Sequence, residues 1–174
     1  YINKNCREVS FNSCIFANNI ADAGDGGAIH SDSRGTYLKL YNCTFTNNHA
    51  TGGSAKRYGG AVCSYGNVYV NNCTFNDNWA QNKGGAIYCY EKIDCVNSHF
   101  KNNRVYVDGG GSIYTEKLGE VKDSTFEDGF SQGDGGAIYI NLAYVQDIHN
   151  SYFKNNYAKG RGGAIYTDPS DSRT

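Results

Sequence analysis

Phe75-Asn76-Asp77-Asn78, answered nine residues on by Gly84-Gly85-Ala86-Ile87, is the stretch on which the fold turns. Both phrases recur. Phe-x-x-Asn returns as Phe16 to Asn19, Phe45 to Asn48, Phe100 to Asn103 and Phe153 to Asn156, with a degenerate copy at Phe126-Glu127-Asp128-Gly129. The glycine phrase returns at Gly26 to Ile29, Gly59 to Val62, Gly110-Gly111-Ser112-Ile113, Gly135 to Ile138 and Gly162 to Ile165. The anchor phenylalanines 16, 45, 75, 100, 126 and 153 are 29, 30, 25, 26 and 27 residues apart. The longer intervals carry polar insertions, Ser33-Arg34-Gly35-Thr36 and Thr51-Gly52-Gly53-Ser54-Ala55-Lys56-Arg57. Six copies at this period describe a stack of near-identical units with loops outside a fixed cross-section.

Aligned on the anchor Phe, the copies resolve into columns. Five residues before it stand Phe11, Leu40, Val70, Cys95, Val121 and Ile148; two before it stand Cys14, Cys43, Cys73, Ser98, Ser124 and Ser151. Three after it stand Asn19, Asn48, Asn78, Asn103, Gly129 and Asn156. The Cys/Ser column and the Phe alternate as inward residues of a strand do. Steps of three mark bends, and Asn42, Asn72, Asn97 and Asn150 fall at one, where Asn accepts left-handed backbone. No segment keeps an apolar helical period, and the 22 glycines would weaken helices. The predicted fold is therefore all-β: a right-handed, single-stranded parallel β-helix, or solenoid, of about six rungs and roughly 30 Å long. The aligned asparagines would form an internal amide ladder. The Gly-Gly pair reads as a tight corner, with positive φ or no room for a Cβ, and not as a phosphate loop, because no helix follows it. The single Pro169 lies just outside the repeats, as suits a residue that cannot donate to a ladder.

Composition removes several functions. A net charge of −1 without a basic patch argues against nucleic acid. No apolar run is long enough to span a membrane as a helix. The chain opens at Tyr1-Ile2-Asn3 and stops just past the repeats, so residues 1–174 read as one β-helical domain from a longer protein. The Cys/Ser exchange marks a small inward site. An odd count of seven cysteines without Cys-x-x-Cys argues against zinc, and Cys89 with Cys95 is the pair whose spacing suits a disulfide across a turn.

Tandem Phe-x-x-Asn and Gly-Gly-Ala-Ile/Val phrases, in phase over nearly the whole chain from Phe11 to Tyr166, resemble the polymorphic outer-membrane protein repeat. That repeat is known from chlamydial surface autotransporters and from adhesin-like surface proteins of methanogenic archaea. The Asn-Cys-Thr-Phe phrases at Asn42 and Asn72 are similar to the archaeal type. Gly129 for Asn and Ser112 for Ala are the departures. The resemblance implies an extracellular, surface-displayed β-helical segment with an adhesive role, its partners being glycans or surface proteins of host or neighbouring cells.

Two columns are candidates for the binding face. If Ile of Gly-Gly-Ala-Ile points inward, the next residue points out; that column holds His30, Cys63, Tyr88, Tyr114, Tyr139 and Tyr166. Its four tyrosines would form an exposed stripe able to hold sugar rings or protein anchors, or a ladder that only stabilises the stack. The second column, four after the anchor Phe, holds Ile20, His49, Trp79, Arg104, Phe130 and Tyr157, a discontinuous aromatic strip.

No cofactor is expected. Asp25 and Asp134, each before a Gly-Gly, are the candidates for calcium, but the intervening turns hold Tyr58, Lys83 and Gly109 at that station, so carboxylates do not stack. Asp77 and Asp128 share a column with Asn102 between them, which reads as a polar turn and not as a paired acid and base. The other acids Asp94, Asp123 and Glu127, and the histidines His30, His49, His99 and His149, fall in separate columns, so no catalytic residues are assigned. The leading expectation is a non-enzymatic adhesin segment. A passive stalk and a β-helical polysaccharide lyase or hydrolase are the alternatives. Uncapped ends would favour end-to-end self-association.

Overall fold

The structure is a computed structural model that describes residues 1–3, 5–52 and 57–168. Part of the 51–57 insertion and Pro169 lie outside the described residues.

The anchor Phe sits at the centre of a three-residue strand in every turn. Ile15–Ala17, Thr44–Thr46, Thr74–Asn76, His99–Lys101, Thr125–Glu127 and Tyr152–Lys154 pair in parallel to make a six-stranded sheet. The two-residue strands that follow, from Ile20–Ala21 to Tyr157–Ala158, build a second six-stranded sheet. The segments after each Gly-Gly build the third and longest, in which the last turns run as single strands such as Ile113–Lys122 and Ile138–His149. All described pairings are parallel, and two sheets of six strands make a β-solenoid of six turns.

Register places like residues on like residues. Phe45 pairs with Phe75 and Phe75 with Phe100, so the rings stack face to face. Their centroids are 4.6 and 4.8 Å apart, the rung spacing itself. The column Phe11, Leu40, Val70, Cys95, Val121 and Ile148 is paired in sequence as the alignment predicts. These side chains fill the main core with Ile29, Val62, Ile87, Ile113 and Ile138.

Two left-handed residues per turn make the bends. One column is Ser13, Asn42, Asn72, Asn97, Asp123 and Asn150; the other is Asn18, Asn47, Asp77, Asn102, Asp128 and Asn155, all with φ between 48° and 58°. Short polar side chains tolerate this region. Asp77 and Asp128 thus sit at turns, where Asn102 donates to Asp77 and Asn155 to Asp128, as a polar turn requires.

The Gly-Gly corner needs both glycines for different reasons. Gly59 has φ of 64°. Gly60 has ordinary φ, but a Cβ there would lie 2.1 Å from the Gly85 carbonyl oxygen and 2.6 Å from the Trp79 backbone nitrogen. The corner therefore passes against the second sheet and the corner of the next turn with no space for a side chain.

Inside the turns, polar columns satisfy the backbone. Asn48 Nδ2 donates to Asn78 Oδ1 at 3.0 Å and to the Phe16 carbonyl at 2.9 Å; Asn78 repeats this with Asn103 and Phe45. The Cys/Ser column relays likewise. Cys43 N–H donates to Cys73 Sγ, Cys73 N–H to Ser98 Oγ and Ser98 N–H to Ser124 Oγ, at 3.1–3.3 Å. Each thiol or hydroxyl donates in turn to the carbonyl two residues back, which is why Cys and Ser exchange. All seven cysteines are free; Cys89 and Cys95, the pair whose spacing would suit a disulfide, are both buried in the strand Ile87–Val96. Burial pushes each of those two thiols up to about 12.

Candidate functional surfaces

Two aromatic columns leave the main core, and their fates differ. The first begins one residue after the inward Ile. His30, Cys63, Tyr88, Tyr114, Tyr139 and Tyr166 are paired neighbour to neighbour and point away from the main core, as alternation predicts. The expected exposed stripe is nevertheless corrected. Tyr88, Tyr114 and Tyr139 are 4%, 2% and 8% exposed, Cys63 is fully buried, and Tyr166 is half-buried. They form a second, aromatic core.

The cause is the corner. Positive φ at the first Gly turns the chain so that the residue before it packs over the tyrosine of the next turn. Tyr58 stacks on Tyr88 with centroids 4.5 Å apart. Lys83 Nζ lies 4.2 Å from the centre of the Tyr114 ring and donates to its hydroxyl at 2.9 Å. Gly109 leaves room for Tyr139, whose Cδ2 would be 2.3 Å from a Cβ there. Burial raises the phenol pKa of Tyr88, Tyr114 and Tyr139 well above its ordinary value, the Asp168 carboxylate hydrogen-bonded to Tyr139 adding to it there.

The second column is open. Ile20, His49, Trp79, Arg104, Phe130 and Tyr157 are paired neighbours on the outer face of the second sheet. The gap expected at Arg104 is filled by Tyr106, two residues later. Its ring meets Trp79 edge-on at 5.4 Å and lies 6.3 Å from Phe130, which stacks on Tyr157 at 6.0 Å. His49 lies 5.0 Å from Trp79 at the other end. The strip is thus continuous over five turns, about 19 Å along the axis. Tyr106 is 44% and Tyr157 56% exposed. Beside it runs a row of turn amides interrupted by the carboxylates Asp77 and Asp128: Asn47 donates to Asn18 at 2.7 Å and pairs with His49, while Asn102 binds the Arg104 guanidinium. Tyr106 sits in a length-variable connection outside the aligned columns, so only its aromatic type could have flagged it.

The two calcium candidates stand four turns apart. Asp134 accepts from the Arg161 amide and forms an ion pair with its guanidinium at 2.8 Å. Burial alone would raise the Asp134 pKa, but these Arg161 contacts outweigh it and hold the carboxyl below its usual range. Asp25 Oδ1 accepts from the Tyr58 amide at 2.9 Å. Among the described residues, one group of three metal-ligand types converges: Asp25, His30 and Cys63, with donor atoms within 4.8 Å of one another. Sequence reading missed it because the three come from two turns and share no local motif. Burial, then the Asp25 charge, raises the Cys63 thiol well above its ordinary value.

No helix among the described residues is long and apolar enough to cross a membrane. The model of the Chlamydia polymorphic membrane protein repeat matches at residues 13–32, 42–65, 72–90 and 150–168. The unmatched interval contains the two departures, Ser112 and Gly129, where the solenoid continues without a break. No curated protein and no solved structure matches the chain significantly.

Proposed function

We propose, from the premise that this chain carries tandem polymorphic membrane protein repeats, that it is a cell-surface, extracellular adhesin segment whose binding face is the Trp79–Tyr106–Phe130–Tyr157 strip. The repeat takes its name from membrane proteins, which supports the surface location. The observation that carries the binding face is the continuous run of part-exposed rings bordered by a column of turn amides and carboxylates. Exposed aromatic surface covers the apolar C–H faces of sugars, and a flanking row of amides and carboxylates offers hydrogen-bonding groups to their hydroxyls. The proposed ligand is an extended glycan lying along the axis. Weak contacts repeated over several turns would add up, and many copies on one cell would add avidity.

A glycan array probed with the purified chain tests the reading. The expected result is selective binding that falls tenfold or more when Trp79, Tyr106, Phe130 and Tyr157 are replaced together by Ser. The β-rich circular dichroism should be unchanged. A blank array would favour the stalk. Binding that survives the replacement would move the site elsewhere on the solenoid.

A further inference from the structure

The start of the buried aromatic stack breaks its own pattern. From the third turn onward the column is tyrosine, but the first two turns carry His30 and Cys63, set directly side by side by parallel pairing. The residue before each Gly-Gly packs on the column residue of the next turn, as Tyr58 does on Tyr88 and Lys83 on Tyr114. One step earlier that rule brings Asp25 to Cys63. Three consecutive stations of an apolar stack are thus filled by carboxylate, imidazole and thiol, within 4.8 Å of one another.

The cluster is incomplete without a ligand. His30 Nδ1 is buried and has no hydrogen-bond partner. Cys63 is fully buried. The Tyr58 amide holds Asp25 Oδ1 and leaves the second oxygen to serve an ion, as groups behind a metal ligand do. Tyr1 stacks on the His30 ring at 5.6 Å and Tyr65 meets it edge-on at 6.2 Å, giving apolar walls. Asp25 and His30 are half-buried, so an ion reaches the site from solvent.

We propose that Asp25, His30 and Cys63 form a site for a divalent cation of borderline softness, zinc, that ties the first turn to the second. Sulfur and nitrogen donors disfavour calcium and magnesium and suit zinc. Tetrahedral zinc holds its ligands about 3.5 Å apart, so modest side-chain rotation closes the site, with water in the fourth position. Binding forms a zinc–thiolate bond, and the Cys63 proton leaves to solvent. Thiolate and carboxylate then neutralise the ion, with imidazole neutral.

Titrating cobalt(II), and then zinc, into the reduced full chain tests this. The expected result is one cobalt per chain, with thiolate-to-cobalt charge-transfer absorption that zinc displaces and about one proton released. Cys63→Ser should abolish the band and weaken affinity at least about 100-fold, whereas Cys6→Ser, at an exposed cysteine, should change neither. Should Cys63→Ser not fold, His30→Gln decides: the same loss of affinity supports the site, and unchanged affinity overturns it. Absence of the charge-transfer band, or a band that survives Cys63→Ser and disappears in Cys6→Ser, would also overturn it.

Discussion

Cys73 shows how a single side chain serves this stack. Its Sγ accepts the Cys43 N–H and donates to the Asn71 carbonyl, while its own N–H donates to Ser98. The station needs a small group that both accepts and donates, and shape alone does not meet that need. Cys73→Ser is therefore expected to change stability by less than about 1 kcal/mol. Cys73→Ala, matched to Ser in volume, leaves the buried Cys43 N–H unpaired and should cost about 2 kcal/mol. Urea unfolding of the two variants checks the order, and equal costs would mean that packing alone governs the column. This residue-scale logic is legible in the sequence, because Cys and Ser exchange at one station of the repeat. The Asn ladder is legible for the same reason. The convergence of Asp25, His30 and Cys63 is not. Their proximity is created by stacking, at sequence separations that belong to no motif.

At the scale of the element, the Gly-Gly corner and the strand after it decide what is covered. Alternation correctly sends Ile87 inward and Tyr88 the other way. It cannot say that Tyr58, from the preceding turn, will lie on Tyr88, because that depends on the path through Gly59 and Gly60. The two aromatic columns look alike in sequence, and only the returning chain distinguishes them. Burial has a titration consequence. The phenols of Tyr88, Tyr114 and Tyr139 have folded-state pKa values raised above the unfolded value of about 10. Their contribution to stability is fully present below that pH and declines as pH rises above it, because only the unfolded chain releases the protons. Stability should thus fall steadily beyond about pH 10. Part of the tyrosinate absorbance should appear together with loss of the β-sheet signal. Smooth ionisation of all 15 tyrosines with the sheet intact would contradict the buried stack.

At the scale of the molecule, each turn packs on its neighbours and stacked side chains fill the interior, so function must lie on a long face. Fold and axis direction are legible because a fixed period in sequence becomes a fixed rise in space. The proposed binding face is half legible: Trp79, Phe130 and Tyr157 fall in one column, whereas Tyr106 closes the gap from outside it. Trp79 is the only tryptophan in the chain and sits within the strip, so its fluorescence reports on the proposed face alone. The most direct test titrates that fluorescence with a panel of soluble neutral and acidic polysaccharides. At least one is expected to produce a saturable spectral shift and to shield Trp79 from a soluble quencher. A panel that leaves the emission and the quenching of Trp79 unchanged would contradict the proposed face.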